Sequence, residues 1–260
     1  MIKIYHEAPK SIFKQVQRLT DGDYALVNLF GEDEEYLNQF NPKERDVILD
    51  NGVFELGTAF SSDTFAEWVE TLEPTWYIVP DVLEDGEATV ARFMEFINTY
   101  KGLPGKIIGV AQGKDFDDYV QCYEAIEPYC DKVGISFDCS WYREGYLTGN
   151  IWQQLAVGRY RTLQEMYARG IINEDKPHHL LGVALPQEMR HYKWQRWHWI
   201  DSVDTSNPVV HGLKGISYSV DGLMSKETQK LYTLVNADVS EQQMQLIEHN
   251  IKQFRRFCND

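Results

Sequence analysis

TWYIVPDVLEDGEATVARFMEFINTYKGLPGKIIGVAQGKDFDDYVQCYEAIEPYCDKVGISFD, residues 75 to 138, sets three short β-branched and aromatic runs (75 to 81, 106 to 112, 132 to 138) around two amphipathic stretches. Each amphipathic stretch opens on a helix-capping carboxylate, Asp85 and Asp115. The pattern reads strand, helix, strand, helix, strand. It continues outward in YALVNLF (24 to 30), DVILD (46 to 50), HHLLGVA (178 to 184) and WIDSVD (199 to 204), with a weaker eighth run, GISYSV (215 to 220). Ser62 and Asp63 precede FAEWVETL, and Pro186 stands at a first-turn position before QEMRHYKWQRW. A C-terminal helix over about 240 to 257 starts at a Ser240 cap. Eight such units in 260 residues predict a (β/α)8 barrel, a single domain over 1–260. The doubly wound open sheet is the alternative, but no GxGxxG follows the first strand run.

Composition narrows the function classes. With 43% hydrophobic and 25% charged residues the chain is of ordinary globular type, so disordered and fibrous classes are excluded. A formal charge of −15 repels polyanions as a whole, so a nucleic-acid contact needs a local basic patch. The start, MIKIYHEAPK, lacks the apolar core of a signal peptide, and no run approaches a membrane span. The expectation is a cytoplasmic protein without membrane contact. The four cysteines, at 122, 130, 139 and 258, form no CxxC pair and predict buried thiols, with no metal and no cofactor.

In a barrel, chemistry sits where strands end. The strand ends here are Asp50, Asp81, Gln112, Asp138, Gly182 and the pair Asp201 and Asp204. Each carboxylate alone is explained as a cap or turn former. Together at one mouth they repel one another, which raises some of their pKa values and suits acid, base or nucleophilic work. The loop 138 to 150 is long enough to lie over such a site.

Four of these segments carry a resemblance. Asp50-Asn51-Gly52-Val53-Phe54-Glu55 resembles the DSGGFQ of the tRNA-guanine transglycosylase superfamily, and Gly109-Val110-Ala111-Gln112-Gly113-Lys114 its GIVQGG. His179-Leu180-Leu181-Gly182-Val183-Ala184 resembles YLMGVG, and the segment from Ile200 to Pro208 resembles IDMFDCVLP. The match runs in order from about 46 to 208 and is nearest to the short DpdA-like members, which modify DNA with deazapurines. The resemblance implies that Asp204 is the nucleophile that attacks C1′, with Asp201 the competing register and Pro208 favouring Asp204. It implies that Asp50 shuttles protons to and from the base. Asp81 and Gln112 would bond a guanine-like edge, Gly134 and Ile135 would offer backbone contacts, and Phe54 and Leu181 would sandwich the base. The superfamily's zinc subdomain is missing, since beyond Asp204 stand only Cys258, His211 and His249. Val53 and Glu55 also replace a Gly and a Gln of the first motif, so the preferred base need not be guanine.

The residue types suit the chemistry on their own. Breaking an N-glycosidic bond develops oxocarbenium character at C1′, which one carboxylate can capture while another manages the proton of the leaving base. For nucleic acid, the stretch Arg190 to Trp199 interleaves Arg190, Lys193 and Arg196 with aromatics, the best candidate for a phosphate contact, although an outer barrel helix with solvated cations reads the same way. From 63 to 95 nine acids face only Arg92, a face that turns away from phosphate. The expected activity is cleavage of the bond to a selected base in DNA, such as hypermodified phage DNA. Either the base is released to leave an abasic site, or it is exchanged for a 7-deazaguanine such as preQ0 or preQ1. The alternatives are base exchange on tRNA, a small-molecule nucleoside hydrolase and a non-catalytic nucleic-acid-binding barrel.

Overall fold

A computed structural model gives the architecture; it describes residues 1–260 apart from Asp138, Tyr146, Leu147, Trp194 and Thr228. Eight parallel strands close into a barrel in chain order: β1 Lys3–His6, β2 Gly22–Leu26, β3 Val47–Asp50, β4 Trp76–Ile78, β5 Lys106–Ala111, β6 Lys132–Ile135, β7 His178–Leu180 and β8 Ile200–Asp204. The predicted (β/α)8 class is therefore correct. One strand assignment is not. Residues 215–220 form no strand, only a bridge between Ser219 and Gly222, and the place beside β8 is taken by the N-terminal KIYH. β1 fills the seam on both sides, pairing Tyr5 with Gly22 and with Asp204, so no edge is left for GISYSV to join.

The helices are α1 Phe13–Gln17, α2 Glu34–Leu37, α3 Val53–Leu56, α4 Ser62–Leu72, α5 Gly86–Thr99, α6 Phe116–Ile126, α7 Ile151–Ala168, α8 Asn207–Leu213 and α9 Glu241–Asn259. Asp85 and Asp115 cap α5 and α6 as expected, accepting from the N–H groups of Ala88 and Asp118. Ser240 and Gln243 form a reciprocal capping box on α9. The cap of α4 is Ser61, one residue earlier than read, and its hydroxyl takes no cap bond. The helix predicted after Pro186 is instead two 3-10 turns, Pro186–Tyr192 and Gln195–Trp197. Here Tyr192 and Trp197 pack on Tyr160 of α7 and Trp199 packs on Trp197, and this aromatic packing overrides the helical period.

Glycines mark close approaches. A Cβ on Gly113 would lie 2.4 Å from the backbone nitrogen of Tyr119, so only glycine lets α6 start directly behind β5. The cysteines are all buried as thiols. Among the described residues no helix is long and apolar enough to cross a membrane.

Candidate active site

A cavity of about 180 Å³ opens at the C-terminal end of the barrel. A dry cavity of about 150 Å³ admits benzene and drug-sized ligands take about 300–1,000 Å³, so this one suits a single ring system. Asp50, Asp81, Gln112, Phe54, Leu181, Gly182 and Asp204 all line it, so the structure brings together seven residues singled out from the sequence.

Asp204, the last residue of β8, has one oxygen pinned. Its Oδ1 accepts from His179 Nε2 at 3.0 Å and from the N–H of Gly182 at 3.1 Å, and no donor reaches Oδ2 among the described residues. Gly182 sits at φ +53°, a left-handed backbone that glycine adopts freely and that turns its N–H toward the carboxylate. Behind His179 runs a chain of donors. As a carboxylate Asp204 only accepts, so His179 Nε2 donates, and its Nδ1 accepts from the Ser202 hydroxyl at 2.8 Å. Ser202 in turn accepts from Lys132 Nζ at 3.0 Å. Burial keeps the His179 imidazole below its ordinary pKa, against the pull of Asp204, and so keeps it neutral.

Asp201 is not part of the mouth. It lies near the start of β8 and accepts from Lys132 Nζ at 2.6 Å, at the end of the barrel away from the cavity. Burial alone would raise its pKa, but the charge and hydrogen bond of Lys132 hold it below the ordinary value. A three-residue step along β8 separates the two ends, and this resolves the register in favour of Asp204 as the residue facing the cavity.

Asp50 ends β3 with both oxygens engaged: Oδ1 accepts from Tyr24 OH at 2.9 Å and Oδ2 from the N–H of Gly52 at 2.8 Å. Burial, then repulsion from Glu55, pushes its pKa well up against those two bonds. Asp81 is held between two amides, Asn51 Nδ2 on Oδ1 and Gln112 Nε2 on Oδ2, both at 2.7 Å. Burial raises it too, while the two amides oppose. The far oxygen of Gln112 accepts from the N–H of Glu84 at 3.2 Å. Gln112 thus uses one N–H of its amide to orient Asp81, and the second lone pair on each Asp81 oxygen remains an acceptor for the N–H groups of a ligand.

Gly134 and Ile135, expected to offer backbone contacts, lie inside β6; the residues of this segment that reach the cavity are Ser136 and Phe137. The Ile135 carbonyl already accepts from the N–H of Leu181 at 3.0 Å. Phe54 stands at the rim, 45% exposed, with Lys230 Nζ 4.9 Å and Lys226 Nζ 5.9 Å from its ring centre. Leu181 is braced from behind, because the buried Arg159 donates to its carbonyl at 2.7 Å and pairs with the buried Glu188 at 2.8 Å.

The basic stretch is elsewhere. Arg190 lies over Phe257 of α9 and donates to the carbonyl of Val220, Lys193 donates to the carbonyl of Arg256, and Arg196 donates to Tyr160 OH. None of the three lines the cavity, and their bonds fasten the β7–β8 connector to α7, to α9 and to the connector from α8 to α9. The cations at the cavity are Lys226 and Lys230, on the connector from α8 to α9. Asp138 falls outside the described residues.

Glu7, Tyr24, Lys226 and Lys230 were not singled out from the sequence, and Asn51 and Glu55 only as members of the first motif, although Glu7 obeys the strand-end rule one residue past β1. Among the described residues no three or more His, Cys, Asp or Glu side chains are grouped to hold a metal ion. No family model matches the chain, and no curated protein matches it significantly.

Proposed function

We propose that the protein is an enzyme that cleaves the N-glycosidic bond of a selected base in DNA, with Asp204 as nucleophile. The carrying observation is the state of Asp204, one oxygen fixed by two donors and the other taking no hydrogen bond among the described residues, at a cavity the size of one base. A carboxylate held in this way can capture C1′ as the base departs, the covalent route of retaining glycosidases. Asp81, locked by Asn51 and Gln112, accepts from the N–H edge of the base, and the Phe54 ring offers a stacking face worth about 1–3 kcal/mol. The target leaves a duplex by flipping, which costs least when it is modified or unpaired. Lys226 and Lys230 line the cavity and are better placed to meet the flanking phosphates than Arg190, Lys193 and Arg196, none of which lines it.

The second half of the reaction resolves the glycosyl-enzyme ester with either water or an incoming 7-deazaguanine. Incubation with plain and hypermodified phage DNA and with tRNA, with and without preQ0, followed by abasic-site assay and mass spectrometry of free bases, tests the reading. Base release from DNA that Asp204→Ala abolishes is the expected result, and dependence on preQ0 distinguishes exchange from hydrolysis. Release from tRNA alone would move the substrate to RNA, and no release from any nucleic acid would overturn the enzyme reading.

A further inference from the structure

Four carboxyl groups, Glu7, Asp50, Glu55 and Asp204, reach one small cavity. They cannot all be ionised side by side in a buried space, so protons are retained, and the pattern of donors decides where. Asp204 holds two donors, His179 and Gly182. Asp50 holds two, Tyr24 and Gly52. Donors already occupy oxygens of both, so a carboxyl that takes no donor has the most room to carry a proton and hand it to a ligand. No other described residue donates to the carboxyl of Glu7 or of Glu55, but Glu7 is the more buried, with 9% of its surface exposed, whereas Glu55 is half-buried and feels the opposing charge of Lys230. Resting on the reading of the site as one that expels a base, we propose that Glu7 is the general acid that protonates the departing base, with Asp50 held in place beside it by Tyr24 and Gly52.

The groups that face Glu7 agree with this division. Tyr24 from β2, Asp50 from the end of β3, Glu55 from α3 and Asp204 from β8 surround it, with Lys226 the cation opposed to them. Burial first, and then repulsion by Glu55, Asp204 and Asp50, push the Glu7 carboxyl well above the usual range, against Lys226. The step balances. The bond from C1′ to the base breaks with its electron pair going to the base, the Glu7 proton passes to the base, and Asp204 Oδ2 bonds C1′. Attack by water then expels the Asp204 carboxylate, and the proton lost by that water returns to Glu7.

Glu7→Gln keeps shape and removes the proton. On the DNA from which the wild type releases base, single-turnover release by E7Q falls ~10²–10⁴-fold, the usual range for a lost general acid, with KM little changed and the alkaline limb of the rate profile gone. In parallel, ¹³C NMR of glutamate side-chain carboxyls, with the Glu7 signal assigned by its loss in E7Q, shows a protonated carboxyl at pH 7. A wild type that releases base while E7Q keeps pace within threefold, or a Glu7 signal in the ionised position at pH 7, overturns the assignment alone. A wild type that releases no base from any nucleic acid overturns the reading of the site and the role of Glu7 with it.

Discussion

Replacing Arg159 by Met removes a guanidinium that is fully buried, pairs with Glu188 at 2.8 Å and donates to the Leu181 carbonyl at 2.7 Å. Breaking a buried pair by deleting one partner costs about 3–5 kcal/mol, because the other charge stays behind unmatched. The abandoned Leu181 carbonyl adds to this, though not additively, and about 4 kcal/mol is a fair centre. At about 2.1 cal/mol/K per residue, unfolding 260 residues carries about 0.55 kcal/mol/K, so R159M melts about 7 °C below wild type at neutral pH. The sign of the pH dependence follows from Glu188. Burial already raises its pKa while Arg159 holds it down, and without Arg159 it rises further. A folded pKa above the unfolded one contributes stability at low pH that is lost as pH rises through it, so the R159M deficit is smaller at pH 5 than at pH 8. Differential scanning calorimetry of R159M and of R159M/E188L measures both effects. The double variant, with no stranded charge, recovers at least half of the loss. A deficit under about 1 kcal/mol, or a double variant no more stable than R159M, would refute the argument.

His179→Phe removes one donor to Asp204 and ends the chain to Lys132, and base release falls on the order of 10²-fold, as for loss of one preorganised donor, while the melting temperature, read alongside, separates this from unfolding. Burial pulls His6 and His178 down to about 4, so between pH 6.5 and 4 the unfolded chain binds protons that the folded one refuses. Each histidine then removes up to about 3 kcal/mol as pH falls through that window, and His178→Phe flattens this limb in urea titrations at pH 7 and pH 5. Gly113→Ala drives a methyl to 2.4 Å from the Tyr119 nitrogen, forcing α6 away from β5, and costs about 1–3 kcal/mol in the same titrations.

The barrel was legible because seven of its strands are apolar runs and several of them lead into helices with clear caps, such as Asp85 and Asp115, a pattern set by burial and local hydrogen bonding. The eighth was misplaced: KIYH has only four residues and no helical pattern of length behind it, while GISYSV alternates well but finds no unpaired strand. Missing β1 also hid Glu7, whose position past His6 has meaning only once Lys3–His6 is a strand. Asp50, Asp81, Gln112 and Asp204 were legible because they end, or follow within three residues, strands whose place in the chain was read correctly. Lys226 and Lys230 were not, because they reach the cavity on an irregular connector that has no period. The Arg190 to Trp199 stretch was legible as a mixture of cations and aromatics but not as a place, because the same mixture also fastens a turn to the barrel wall away from the cavity.

The seam between β1 and β8 ties residues about 200 positions apart, with Tyr5 paired to Asp204. Such a contact is the most remote in sequence that the sheet makes, and loop-closure entropy places contacts of this kind among the slowest to form. During synthesis seven strands can be laid down while Glu7 and the position of Asp204 are still unconnected. The candidate site therefore comes into being only when the ring closes, and a chain released early, or one whose first strand has peeled away, holds most of the barrel and none of the chemistry.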